Sequence, residues 1–342
     1  MSRSHSAHHH DHEENHHDKG RGHQHIHGVV DPTTITTQRG IRAIKWSFVV
    51  LFVTALMQAI VVWRSGSVAL LADTIHNIGD ATTVLPLWVA FALARRPPSR
   101  RFTYGLGRVE DLAGVAIVGL IVASVIVAGY ESLTRLIHPQ SLTHLGAVAL
   151  ASIIGFLGNE AVAFFRIKVG KEIGSAALVA DGYHARVDGL TSLAVLVGVI
   201  GVWLGYPIVD PIVGLIITVV IVRIVWESSI TIFTRLLDGI DPQVLEDIRH
   251  AVKHIAEVHA VTQVRVRWIG HRMHAELNIA VSPHLSVAQG HAIASNVRHQ
   301  LLHHLPRLAN AIIHVDPLDA AGEEHHGIAE HVHDNLPVHA HL

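Results

Sequence analysis

The chain has 342 residues, 49% of them hydrophobic and 16% charged, with a formal net charge of −2. That composition excludes an ordinary soluble domain of this size, and near-neutrality removes the electrostatic case for nucleic acid. There is no cysteine, which excludes disulfides and thiolate metal sites, yet 31 residues are histidine against 26 lysines and arginines together. Neutral imidazole is the commonest metal-binding side chain, so composition alone joins a membrane to a metal.

Residues 1–38 read as a low-complexity tail, HHHDHEENHHDKGRGHQHIHG at its centre, with too few apolar residues for a core. It does not read as a signal peptide, because no apolar segment follows within the first thirty residues. Six apolar runs then approach or exceed the ~20 residues needed to cross a bilayer: about 44–63, 68–94, 110–136, 145–165, 176–204 and 208–233. The expected unit is an all-α six-helix membrane bundle over 39–238. One side of it carries Arg39, Arg42, Lys45, Arg95, Arg96, Arg100, Arg101, Arg108, Arg166, Lys168, Lys171 and Arg235, and the other only Arg64 and Arg135. An excess of Lys and Arg marks the cytoplasmic side, so both termini are expected there.

After Asp238 the character changes. DPQVLEDIRHAVKHIA is an amphipathic helix pattern, and VTQVRVRWI and MHAELNIAV alternate like strands. SVAQGHAIASNVRHQLLHHL is a second helix and AIIHVDP a last strand. This α-β-β-α-β order over 239–318 predicts a small two-layer α+β domain of ferredoxin-like type. Residues 319–342 form a second His-rich tail. Both tails are candidates to capture zinc.

The chemistry sits in a repeated pattern. The second run contains Ala72, Asp73, His76 and Asp80, and the fifth Ala180, Asp181, His184 and Asp188, both Ala-Asp-x-x-His-x-x-x-Asp. Spacings of three and four place each Asp-His-Asp set on one helix face. Ionisable groups inside a bilayer are costly and mark a pathway or site. The two runs are antiparallel, at ~1.5 Å per residue across a ~30 Å core. His76 then lies roughly 17 Å from the cytoplasmic edge, Asp80 roughly 11 Å, His184 about 12 Å and Asp188 about 18 Å. Two imidazoles and two carboxylates converge near the midplane, a set that suits tetrahedral zinc. Asp73 and Asp181, about a turn away, either hold the imidazoles or serve as extra ligands for an octahedral metal.

SVALLADTIHNIGD, ADGYHARVDG, YGLGRVE and IIHVDP together resemble the cation diffusion facilitators, the zinc/proton antiporter type, over about 41–318. The resemblance implies a secondary active transporter rather than an enzyme. It implies a homodimer with a metallochaperone-like cytoplasmic domain, and zinc efflux coupled to protons. His76, Asp80, His184 and Asp188 match that family's transport site. Relatives carry Asp and His in the loop before the third helix, where this chain has Phe102 and Leu106, so no loop site is expected. His291, His314 and Asp316 match a cytoplasmic metal site, but Thr262 and Asn278 stand where relatives often have His. Arg108 and Asp238 match an interdomain charge pair. No cofactor is implied beyond zinc, carried and as a regulatory ion. The expected location is a bacterial cytoplasmic membrane, crossed several times.

Other readings remain open at this level. Manganese, iron, cobalt, nickel and cadmium are alternative cargoes, and a metal sensor without transport is another class. A membrane metalloprotease would need His-Glu-x-x-His in a membrane segment, which none of the six apolar runs contains. Asn159 and Glu160 either line the ion route or bond a neighbouring helix. Arg223 and Glu227 read as a surface i,i+4 pair.

Overall fold

In hydrocarbon a peptide group finds no water, so long apolar segments must satisfy every backbone N–H and C=O internally, as helices do. A computed structural model of the protein describes residues 32–65, 84–138, 144–322, 328–331 and 339–341. The membrane part consists of α1 (Pro32–Ser65), α2 (Val84–Ala94), α3 (Val109–Ile137), α4 (Leu145–Ile173), α5 (Ala176–Trp203) and α6 (Val209–Leu236). Among the described residues five helices are long and apolar enough to span a membrane, and α2 supplies a shorter apolar helix over Leu85–Ala94. The first part of the expected second span, with Asp73, His76 and Asp80, lies outside the described residues.

Two boundaries differ from the sequence reading. Helix α1 begins at Pro32, inside the segment assigned to the tail. Proline suits a first helical turn, where its missing N–H has no partner to lose. Helix α4 runs on to Ile173, so Arg166, counted with the loop cations, is a buried helical residue. A hydropathy run stops at the first cation, whereas a buried partner lets the helix continue.

Helix α5 is the centre of the bundle, packing on α3, α4 and α6. Ser175 caps it by accepting from the Leu178 N–H. Trp46, Phe52 and Trp63 on α1, Ile126 and Tyr130 on α3, and Val219 and Trp226 on α6 are exposed. So much outward apolar surface suits lipid, not water.

The soluble part contains α7 (Pro242–Lys253), β1 (Ala260–Ile269), β2 (Arg272–Val281), α8 (Val287–His304) and β3 (Leu308–Pro317). Asp241 caps α7, and Ser286 with Gln289 forms a capping box on α8. The sheet order is β1-β2-β3, with β1 and β2 antiparallel and β3 parallel to β2. Met273, Ala275, Leu277, Ile279 and Val281 point to one face, where Ile248 and Val252 of α7 and Ile293, Val297 and Leu301 of α8 cover them. This is the expected α+β domain.

In the C-terminal segment the structure adds two short strands, β4 (Ile328–His331) and β5 (His339–His341), paired antiparallel. In sequence they flank Asp-Asn-Leu-Pro, a turn-forming composition.

Candidate metal transport site

The described half of the repeated motif lies on α5. His184 and Asp188 are one helical turn apart, with Nε2 3.9 Å from Oδ2, and their side chains are 4% and 9% exposed. Helix α4 runs close behind them. A Cβ on Gly182 would lie 2.9 Å from the Ile167 nitrogen, and one on Gly189 would meet the Asn159 Cβ at 3.5 Å. Small residues at these points let the two backbones approach and bring Asn159, itself buried, beside the site.

Asp181 is oriented otherwise. Its carboxylate lies 2.9 Å from Arg166 of α4, with both side chains buried. One turn later Arg186 pairs with Glu160 at 2.6 Å. Two ion pairs therefore bracket His184 and fix α5 to α4. Glu160 thus bonds a neighbouring helix, and Arg223 and Glu227 form their i,i+4 pair at 3.1 Å.

Sequence reasoning missed two kinds of residue. Arg166 looked like a loop cation because nothing local reveals a partner fifteen positions away. Gln58 of α1 is buried and donates to the Ala151 carbonyl of α4 at 3.2 Å. Its signal is a lone amide in an otherwise apolar span. It packs 2.8 Å from the place a Gly155 Cβ would take, where Ser192 of α5 also meets α4. Polar side chains from α1, α4 and α5 thus line one seam of the bundle.

In the soluble domain His314 Nε2 lies 2.8 Å from Asp316 Oδ1, the histidine exposed and the aspartate buried. Asn278 stands opposite His314 in the register. His291 lies on α8, whose neighbour Gly290 packs toward Val315. Since β3 side chains alternate, His314 and Asp316 face the other side of the sheet. The fold of one chain does not bring His291 to them. Among the described residues no group of three or more His, Asp or Glu is placed to hold an ion.

Arg108 Nη2 pairs with Asp238 Oδ1, and Arg108 Nη1 donates to the Leu236 carbonyl at 3.4 Å. The pair joins the start of α3 to the end of α6, and both side chains are part-exposed.

The model of the cation efflux transmembrane domain matches residues 44–237, and that of the cytoplasmic domain of cation efflux proteins matches 240–318. The chain belongs to the cation diffusion facilitator family. A probable cation efflux system protein of Mycobacterium tuberculosis is 54% identical over 290 residues, covering 85% of this chain and 87% of that protein. The magnetosome protein MamB of Magnetospira sp. is 26% identical over 280 residues, 81% of this chain and 95% of the relative. A solved MamM-CTD structure is 24% identical, covers 22% of this chain and 96% of that one, and has a TM-score of 0.22. This cation diffusion facilitator is therefore a multi-pass cation efflux transporter and not an enzyme. Its family boundary between 237 and 240 falls at the Asp238 junction described above.

Proposed function

We propose that this transporter exports zinc from the cytoplasm in exchange for protons, holding the ion with His76, Asp80, His184 and Asp188 between the second and fifth membrane segments. The observation that carries the reading is the His184–Asp188 pair, one turn apart on the central helix and almost removed from solvent. A matching His and Asp sit in the other copy of the motif. Two nitrogens and two oxygens form a set that suits tetrahedral zinc. Asp181, paired with Arg166, serves to fix α5, and Asp73 is proposed for the matching task.

Proton exchange follows from ligand chemistry. Imidazole and carboxylate bind metal only when deprotonated, so an arriving ion displaces protons and arriving protons displace the ion. Histidine is a common metal ligand and proton carrier, which suits it to such an exchange. Two copies act as a homodimer, with both termini on the cytoplasmic side of a bacterial cytoplasmic membrane, where the basic residues concentrate. His314 and Asp316 offer two ligands of a regulatory zinc site that a single chain leaves incomplete.

The test is zinc uptake into proteoliposomes under an imposed pH gradient. Zinc flux that follows the gradient and vanishes in His184→Ala supports the reading. Flux indifferent to the gradient removes the proton exchange, and flux of manganese in preference to zinc removes the cargo assignment.

A further inference from the structure

The soluble domain grips the bundle at a place the transport chemistry does not use. The β1–β2 hairpin closes through a two-residue loop, Gly270 and His271. Gly270 has φ +63°, the glycine-first pattern of a tight hairpin turn. A Cβ there would lie 2.7 Å from the Gly107 carbonyl oxygen and 2.8 Å from Glu110 Oε2, so no other residue fits. The Gly270 N–H donates to Asp111 Oδ2 at 3.1 Å. His271 is buried, with Nδ1 2.7 Å from Glu110 Oε2, Nε2 3.1 Å from Thr37 Oγ1, and its ring 5.6 Å from that of Phe91. The hairpin tip is thus seated among α1, α2 and α3.

Glu110 carries the contact onward. Its other oxygen accepts from the Ser175 hydroxyl, and Ser175 is the N-cap of α5. A carboxylate at that end also complements the helix dipole. Arg307 of the soluble domain also reaches this corner, donating to the Lys171 carbonyl at 2.8 Å. Arg235 donates to the Gly174 carbonyl at 2.6 Å while its guanidinium stacks 4.1 Å above the Trp268 ring. The α4–α5 corner, 171–175, is therefore tied to the soluble domain directly through Arg307 and indirectly through Glu110 and the hairpin tip.

The corner is the end of a stiff lever. The Arg166–Asp181 and Glu160–Arg186 pairs and the close approach at Gly182 lock α4 to α5. His184 lies nine residues beyond Ser175, roughly 14 Å along the helix at ~1.5 Å per residue. We propose that Glu110 and His271 are positioning residues of the transport site, through which the soluble domain sets where α5 places His184 and Asp188. The proposal rests on reading those two as ligands.

Coupling between two sites is reciprocal, so zinc at the transport site acts back on the hairpin tip. Hydrogen–deuterium exchange on the full-length protein, with and without zinc, reads both ends: a peptide over 180–192 for the site and one over 266–275 for the tip. Zinc alters exchange in both peptides of the parent protein and in neither of Asp188→Ala. In His271→Ala and in Arg307→Ala, whose side chain is exposed, the 180–192 response persists, the tip response shrinks, and zinc flux per folded molecule falls about fivefold or more, the lower range of site-to-site coupling. A parent protein in which 180–192 responds and the tip does not overturns the proposal alone. A tip response that survives Asp188→Ala also overturns it, since the signal then comes from metal on the soluble domain. Full flux and a full 180–192 response in Asp188→Ala overturn the ligand reading itself.

Discussion

The Arg166 guanidinium lies 2.9 Å from the Asp181 carboxylate, and the two side chains are 1% and 0% exposed. Removing both charges from water costs several kcal/mol, which their attraction offsets only while both are present. Arg166→Ala strands the aspartate between α4 and α5, one turn from His184. The expected loss is about 3–5 kcal/mol, the range for breaking a buried pair. Replacing both, Arg166→Met with Asp181→Leu, restores much of it. Thermal unfolding in detergent measures this, and an unchanged midpoint in Arg166→Ala contradicts the account.

The transport quartet makes a sharper demand. His76→Ala, Asp80→Ala, His184→Ala and Asp188→Ala each remove one of the four proposed ligands, and each is expected to abolish zinc flux in a correctly inserted protein. His76→Asp exchanges a nitrogen for a harder oxygen and is expected to raise cadmium or manganese flux relative to zinc, because ligand type sets preference. Near-normal zinc flux in any two alanine variants rules out the quartet. An unchanged metal ranking in an active His76→Asp protein argues against His76 as a ligand.

How far these features were legible depends on whether they are local. The membrane helices and the α-β-β-α-β order show in periodicity and run length, which are properties of neighbouring residues. The motif around His184 shows because i,i+4 spacing fixes a helix face. Arg166 does not show, since its partner is reached only by the packing of α4 on α5. The Glu110–His271 contact is hidden for the same reason: the partners are 161 positions apart and meet only when the hairpin tip seats among the helices. His291 and His314 both matched a familiar site, but the alternation of β3 separates them within one chain.

A pH effect is expected from the soluble domain. Partial burial, and then the neighbouring Arg267 and Arg272, hold His274 below its ordinary pKa of 6.5. The folded state thus takes up this proton less readily than the unfolded state. Its contribution to stability is present above pH 6.5 and is lost as pH falls through the lowered folded value. His274→Gln removes the titration, so the variant is expected to lose less stability than the parent on acidification below pH 6.5. Unfolding midpoints taken across that range test this, and parallel pH curves for the two proteins count against it.

Arg108 and Asp238 are 39% and 48% exposed in one chain, and a pair that open to water contributes about 0–1 kcal/mol. Asp238 is nevertheless held in place. It has φ +60° just beyond α6, a conformation aspartate tolerates better than most residues, and its N–H donates to the Arg235 carbonyl at 3.2 Å. Such a fixed geometry gains value if a second copy of the chain covers the pair, because removing one partner then leaves a charge without compensation. We expect this covering in the proposed homodimer. Arg108→Ala and Asp238→Ala should each slow transport and loosen the dimer, and the swap Arg108→Asp with Asp238→Arg should recover part of both losses. A double-mutant cycle on dimer dissociation in detergent isolates the pair from its surroundings. A coupling energy above ~1 kcal/mol exceeds what exposed pairs give and identifies a shielded one. Additive losses mean that the two residues act separately and that the dimer does not cover them.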